Sequence, residues 1–235
     1  NADTTVGAYF AYGKTVSGLG STGSETSVKE KTLGVRAGWT NGPMFAEAML
    51  AYGFNDYSAT RPIVFPGTAT VAHSSTSGHQ WTTGFMVGEH LNAGPLQVSP
   101  FASLLLSRWS ANSFTETDAG AFNASVAGQS ARSLRSQLGV EGRLDWQFGT
   151  LRLQPHAQVA WQHEFSDNSR ALNASFSGVN YAVMTRRASR SSVLYSAGVD
   201  LVLGPSALLY TDVTAESGGV TKVLNEWRVG VAVLF

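Results

Sequence analysis

The stretch "SLRSQLGVEGRLDWQF", Ser133 to Phe148, alternates between two kinds of side chain along its length. Its even positions hold Leu134, Ser136, Leu138, Val140, Gly142, Leu144, Trp146 and Phe148. The odd positions are all polar, charged or glycine. Successive side chains of a strand point to opposite faces, so this period of two predicts a β-strand with one apolar face. The segment 151–165 repeats the pattern after only Gly149 and Thr150, a connection of hairpin length.

Ten segments of this kind follow one another along the chain. They are 5–14, 30–40, 44–57, 78–91, 96–109, 133–148, 151–165, 191–203, 207–217 and 222–235. Most reach the roughly 9–11 residues that a tilted strand needs to cross a bilayer, whereas strands of soluble proteins average about 5–6. The face assignment of 207–217 is ambiguous.

The connections between the segments alternate in length. Tight turns at 41–43, 93–95, 149–150 and 204–206 alternate with long links at 15–29, 58–77, 110–132 and 166–190, and the link around Gly218 and Gly219 is short. Short turns at one end and long loops at the other are typical of an antiparallel up-and-down transmembrane β-barrel. The alternative is a large soluble barrel or sandwich, which has no need to sort its loops in this way.

Faces and strand ends give the candidate positions for lipid and lumen contact. The predicted interfacial aromatics, on apolar faces, are Trp39, Trp81, Trp146, Trp161 and Trp227. The charges predicted to face the lumen are Arg36, Glu47, Arg135, Glu141, Arg143, Asp145, Arg152, Glu164, Asp200 and Arg228. They pair across neighbouring strands, or they form a hydrated wall that lets an extended chain slide and then seats a helical plug.

The composition of the chain argues against several classes of protein. The chain has 235 residues with 16 basic and 16 acidic side chains, so no global charge points to nucleic acid. Only 14% of residues are charged, against about 25% in soluble domains. It has no cysteine, which excludes disulfides, and no apolar run of the roughly 18 residues that a membrane helix needs. No signal peptide is visible, so any export signal is expected upstream of Asn1.

Catalytic and metal-binding motifs are missing from the sequence. It holds no G-x-S-x-G, H-E-x-x-H or Walker sequence, and its five histidines lack metal spacing. We therefore expect no enzyme activity, metal or cofactor. The enzymatic alternative is a ten-stranded surface protease of the omptin kind, for which His73 with Asp56 or Asp167 could serve at the rim. A simple porin is a further alternative.

Several segments together resemble a known family. "GVEGRLDW", "GTLRLQPHAQVAWQHEF", "SSVLYSAGVDLVLGPSALLYTDVTAESGG" and "VGVAVLF", with the earlier hairpin "GPMFAEAMLAYGFNDYSATR", resemble the C-terminal translocator domain of classical (type Va) autotransporters. The resemblance covers essentially the whole chain in segment order. It implies a barrel in the Gram-negative outer membrane that carries an N-terminal passenger to the cell surface and anchors it, as part of type V secretion.

The final segment resembles the β-signal of that family. The pattern of polar, glycine, apolar and aromatic residues falls on Arg228, Gly230, Val233 and Phe235. This implies recognition by the barrel-assembly machinery and explains why an apolar run ends on an aromatic residue. The expected partners are therefore membrane lipid, the assembly machinery and the chain's own passenger, with the barrel itself monomeric.

The strand number departs from the family. The resemblance implies twelve strands and a helix in the lumen, whereas residues 1–235 show ten strands and no such helix. "NADTT" at 1–5 is similar to the family's first periplasmic turn, so the first hairpin and the helix are expected upstream of Asn1. A barrel of ten strands is the alternative, because an even number keeps both ends in the periplasm.

Overall fold

Ten long antiparallel strands account for most of the computed structural model, which describes residues 2–20, 22–149, 151–166, 171–184, 189–203, 207–218 and 221–233. The long strands are β1 (Ala2–Leu19), β2 (Ser24–Asn41), β3 (Met44–Phe65), β4 (Thr68–Glu89), β6 (Leu96–Ala111), β9 (Gln129–Leu144), β11 (Leu151–Glu164), β14 (Ser191–Val202), β15 (Ala207–Gly218) and β16 (Thr221–Val233). Two short strands, β5 (Leu91–Ala93) and β10 (Trp146–Phe148), extend the sheet beside β6 and β11. Within these ranges, no helix is long and apolar enough to cross a membrane.

The long strands pair in chain order. The sheet runs β1-β2-β3-β4-β6-β9-β11-β14-β15-β16, and every ladder is antiparallel. It curls into half of a barrel. Among the described residues, β1 pairs only with β2, and β16 pairs only with β15. The up-and-down topology and the ten strands are as the sequence predicts.

One face of the sheet is apolar and exposed. Phe10 is 65% exposed, Leu33 58%, Leu138 57% and Val229 80%. Soluble monomers rarely expose contiguous apolar patches of this kind. The apolar surface suits a sheet whose outer face meets lipid.

Large rings cover glycines on the other, polar face. Across the strand pairs, Phe45 lies over Gly88, Phe101 over Gly139, Tyr9 over Gly34 and Tyr210 over Gly230. A Cβ built on Gly139 would lie 2.7 Å from the Phe101 ring. Phe45 and Phe101 also form a small buried cluster with Ala160. A glycine opposite each ring is therefore a steric requirement rather than a source of flexibility.

Pro100 in β6 and Pro155 in β11 each lie beside a short interruption in a neighbouring strand. The segments around Pro100 and Pro155 share the pattern L-x-[VL]-x-P-x-A, which suggests a bulge, because proline has no N–H to donate. Instead, the pairing continues without a shift on the Val140 and Val199 sides. On the other side the neighbouring strand breaks, between β4 and β5 at His90 and between β9 and β10 at Asp145.

At the long-loop end, several strands are longer than the segments that the sequence predicts. The links expected over 15–29 and 58–77 are largely strand, since β1 continues to Leu19 and β3 and β4 to the turn at Pro66 and Gly67. In these extensions the alternation of apolar and polar side chains fades. Links 110–132 and 166–190 contain β7 (Phe114–Thr115), a 3₁₀ turn (Gly120–Phe122), β8 (Ala124–Val126), β12 (Ala171–Phe176) and β13 (Val179–Met184). These four strands form an outer sheet in the order β13-β12-β8-β7.

An ion pair, beside a backbone bridge between His73 and Thr117, joins the outer sheet to the β3–β4 hairpin. Arg61 donates two hydrogen bonds to the Glu116 carboxylate, at 3.0 and 2.5 Å, and a third to the Phe122 carbonyl at 3.0 Å. Glu116 also accepts a bond from the Ala124 N–H at 2.8 Å. Burial alone would raise the pKa of Glu116, but the bonds from Arg61 and Ala124, together with the Arg61 charge, hold it below its ordinary value.

The ion pair predicts a pH dependence of the outer sheet. Because the pKa of Glu116 is lower in the folded state, the contact stabilises the sheet above the unfolded pKa of about 4.3. That stability is lost as the pH falls through the folded pKa. Arg61 is 40% exposed, so we expect Arg61→Gln to cost only about 1 kcal/mol of local stability.

Hydrogen exchange of residues 112–126 at pH 7 and pH 3.5 would test this prediction. The amides should exchange faster at pH 3.5 after correction for the intrinsic pH effect, and this difference should shrink in Arg61→Gln. Glu116→Gln and the double variant Arg61→Gln/Glu116→Gln complete the cycle and isolate the pair. An equal pH response in wild type and Arg61→Gln would show that another group fastens the sheet.

Candidate functional site

The polar face carries a ladder of hydrogen-bonded side chains across five strands. Ser103 donates to Gln137 at 3.3 Å, and Gln137 donates to Gln162 at 3.0 Å. Gln162 donates at 3.3 Å to both Ser192 and Glu216, and Ser192 donates to Glu216 at 2.7 Å. Each group satisfies the next, so this ladder leaves few free donors to hold a polypeptide that touches it.

A second cluster gathers charges nearer the short-turn end. Arg143 donates to Asp200 at 2.8 Å and contacts Glu141 at 3.3 Å. His156 contacts Asp212 through Nε2 at 2.9 Å, and its Nδ1 lies 3.9 Å from Asp200. The cluster therefore joins β9, β11, β14 and β15 on a single face.

Gly198 makes the contact between His156 and Asp212 possible. It lies between them in register, since His156 pairs with Gly198 and Gly198 pairs with Asp212. A Cβ on Gly198 would lie 2.6 Å from His156 Nε2 and 2.5 Å from Asp212 Oδ1. The absent side chain lets the imidazole reach across β14 to a carboxylate two strands away.

The structure places the charges that were predicted to face the lumen on this polar face, and it pairs most of them. Arg135 donates to Glu164 at 3.2 Å, Arg152 pairs with Asp145, and Arg228 lies 3.7 Å from Glu226. Arg36 and Glu47 have no ion-pair partner in the described part of the chain. Cross-strand pairing thus accounts for most of these charges. That the face lines a lumen stays a prediction.

The predicted interfacial tryptophans lie on the apolar face at different heights. Trp39 and Trp146 are near the short turns, whereas Trp161 lies near the opposite end of β11. Trp81 lies within the long strand β4, and Trp227 lies midway along β16. Their role at the membrane interface stays a prediction.

The predicted β-signal falls on the last described strand. Arg228, Gly230 and Val233 all belong to β16, and Gly230 lies under the Tyr210 ring. Phe235 lies outside the described residues. The signal therefore rests on the sequence pattern.

Of the residues considered for a protease, His73 and Asp56 do not form a catalytic pair. Asp56 pairs with Ser77 and His73 with Thr60, so the two lie four residues apart along the β3–β4 hairpin, or about 13 Å. Asp167 lies outside the described residues. No group of three or more His, Asp or Glu side chains within the described ranges could hold a metal ion.

Sequence reasoning missed Asp212 and Glu216, which fall in the segment whose faces are ambiguous. The alternation places His156 on the polar face, but its contact with Asp212 is not predicted. The signal that could have placed the two carboxylates is the hairpin with β16, because Asp212 is directly opposite Arg228. The face of β16 is unambiguous from its Trp227, Val229 and Val231.

Comparison with known proteins agrees with this architecture. The family model "Autotransporter beta-domain" matches residues 1–214. The translocator domain of autotransporter NalP from Neisseria meningitidis superimposes with a TM-score of 0.68 at 15% identity, covering 99% of this chain and 76% of that one. A comparison with curated proteins finds no match.

Two further solved structures share the fold. The beta domain of the Bordetella autotransporter BrkA gives a TM-score of 0.63 at 19% identity, covering 99% of this chain and 83% of that one. The transport unit of AIDA-I from Escherichia coli gives 0.60 at 15% identity, covering 100% and 76%. At these identities the likeness concerns the fold.

Proposed function

The chain belongs to the autotransporter β-domain family, and from that premise we propose that it carries an N-terminal passenger across the membrane and anchors it at the cell surface. The family match over residues 1–214 is the observation that carries the proposal. As a β-domain of this family, the chain is an outer-membrane protein of the Gram-negative type. The passenger holds the biological activity, and the barrel itself performs no catalysis.

The polar face suits the wall of such a passage. An extended chain that moves through a pore must not be held by strong contacts with the wall. The ladder from Ser103 to Glu216 and the pairs around Arg143 satisfy one another, so they offer a wetted surface with few free charges. Arg36 and Glu47, which have no ion-pair partner among the described residues, are two of the charges that can contact a guest segment such as a helical plug.

We further propose that a hairpin and a lumenal helix upstream of Asn1 complete a barrel of twelve strands. The edges of β1 and β16 support this, because each has one partner among the described residues. Unpaired strand edges cannot stand in hydrocarbon, where each free N–H and C=O group is costly. The completed barrel then acts as a monomer, assembled through the β-signal that ends at Phe235.

Surface display of a reporter would test the proposed function. The native upstream segment is restored, a tagged reporter is placed before it, and intact Gram-negative cells are treated with external protease. We expect the reporter to be cut in wild type and to be at least about tenfold less accessible in Phe235→Ala, because the assembly machinery no longer recognises the last strand.

A control variant separates recognition by the assembly machinery from the general effect of removing an aromatic ring. Phe165→Ala removes the same ring from the end of another strand and should display the reporter like wild type. A barrel that inserts normally while its reporter stays protected would contradict passenger transport. Ion conductance would then identify a porin, and cleavage of added peptides would identify a surface protease.

A further inference from the structure

Two arginines lie directly opposite each other on the apolar face. Arg108 of β6 pairs with Arg132 of β9 in the antiparallel ladder, and both side chains are exposed. Within the described ranges, neither guanidinium has a hydrogen bond or an ion pair. Like charges that face each other across two strands destabilise the pair. Such an arrangement is stable when an external anion lies between the two groups.

The distance of the two arginines from the short-turn end of the sheet shows where such an anion would lie relative to the membrane. Arg108 lies twelve residues from Leu96, where β6 begins at the short-turn end. Twelve residues of a strand tilted by about 40° rise roughly 30 Å, which is the thickness of the hydrocarbon core. The arginines therefore reach the polar boundary on the long-loop side, which is the cell exterior in such barrels.

The surface below the pair is apolar. Leu106 and Leu134 are opposite each other one step nearer the membrane centre, and Trp81 is opposite Arg108 on the β4 side. Acyl chains would pack on these side chains while a charged headgroup reaches the guanidinium groups. The surface is thus apolar toward the membrane centre and positively charged at the boundary, which matches a lipid of the outer leaflet with an anionic headgroup.

A second pair shows the same placement. Lys14 of β1 is directly opposite Lys29 of β2, and Lys29 lies twelve residues from Asn41 at the short-turn end. Lys31 lies on the same face two residues away. Asp56 and Glu25 are the described carboxylates nearby, and Asp56 is opposite Lys29 without an ion pair within 4 Å. Cations therefore outnumber carboxylates at this boundary.

We propose that Arg108 and Arg132 clamp a phosphate of the lipopolysaccharide in the outer leaflet. This is the phosphate-bearing glycolipid of the Gram-negative surface. A guanidinium presents a planar fork of N–H donors that matches a phosphate, and two forks facing each other neutralise its charge. The inference rests on the membrane location of the chain and not on passenger transport.

Binding by the purified full-length protein would test the clamp. The protein in non-ionic detergent is titrated with lipopolysaccharide, and its apparent melting temperature is read from the folded and unfolded bands on a gel. Lipopolysaccharide should raise the melting temperature of wild type. The half-maximal concentration should rise roughly fivefold in Arg132→Gln and about 25-fold in Arg108→Gln/Arg132→Gln. Arg108→Lys/Arg132→Lys keeps both charges without the planar fork, and its half-maximal concentration should lie between those of wild type and the double glutamine variant.

The controls distinguish the clamp from other anion or lipid contacts. Arg190→Gln removes a charge from a connection on the same side of the membrane and should respond like wild type. Dephosphorylated lipopolysaccharide and inorganic phosphate should each give a much smaller shift than the intact lipid. Without lipid, Arg132→Gln should be at least as stable as wild type, because the repulsion between the two arginines is gone.

Three outcomes would overturn the proposal. The double glutamine variant could respond at the wild-type lipid concentration. The dephosphorylated lipid or free phosphate could reproduce the full shift. Arg132→Gln could be less stable than wild type in the absence of lipid, which would mean that Arg132 has a partner within the protein. None of these results would bear on surface display of the passenger.

Discussion

The Val159→Arg variant should lose about 2–4 kcal/mol of its free energy of unfolding, the cost of an arginine on the lipid face near the bilayer centre. Val159 is 41% exposed on the apolar face of β11 and pairs with Val140 and Tyr195. It lies near the middle of the apolar row from Leu151 to Phe165, too deep for the side chain to reach either headgroup region easily. Val140→Arg should behave in the same way. Equilibrium unfolding in urea from lipid vesicles measures the change.

The neighbouring position supplies the control. Gln158 lies on the polar face and pairs with Glu141, so Gln158→Arg adds the same charge beside a carboxylate. It should change the free energy of unfolding by less than about 0.5 kcal/mol. If Val159→Arg is tolerated and Gln158→Arg is not, the assignment of lipid and lumen faces is inverted.

The Gly139→Val variant should be nearly as damaging, at about 3 kcal/mol or more, because it overpacks a site with no room. A Cβ there would lie 2.7 Å from the Phe101 ring, from the Ala160 Cβ and from the Val159 carbonyl oxygen. The first two belong to the buried cluster, and the third is backbone. The same vesicle unfolding assay should show a lower midpoint with an unchanged slope.

Gly142 offers a matched control in the same strand. A Cβ on Gly142 would meet nothing within 4 Å. Gly142→Val therefore adds a β-branched residue to the apolar face at no steric cost, and it should be neutral or slightly stabilising. Equal losses from the two substitutions would show that glycine is needed for backbone freedom rather than for the ring above it.

The membrane part of the fold could be predicted because lipid imposes a simple pattern. Between Ser133 and Phe165, most side chains at every second position are apolar, so period two fixes both the strands and their faces. The same rule fixes β16 through Trp227, Val229 and Val231. It fails in β15, where the polar Thr211 lies on the apolar face beside Asp212 on the polar face.

The outer sheet could not be predicted because its strands are at most six residues long, too short for a period of two to stand out. The alternation has no reason to persist in β12 and β13, and links rich in Ser, Asn and Ala resemble loops. Its position depends on contacts between residues far apart in sequence, such as Arg61 with Glu116, which are 55 residues apart, and the backbone bridge between His73 and Thr117. The contact of His156 with Asp212 is missed for a similar reason, since it needs three strands in register.

The rings that cover glycines select the register in which their strands pair. A slip of one residue between β6 and β9 would turn Phe101 to the opposite side of its partner and place a side chain where Gly139 should be. The same error would uncover Gly34, Gly88 and Gly230 in their own hairpins. Each of these four strand pairs therefore disfavours a register shifted by one residue, so a barrel with one of these strands misaligned should be less stable than the correct one.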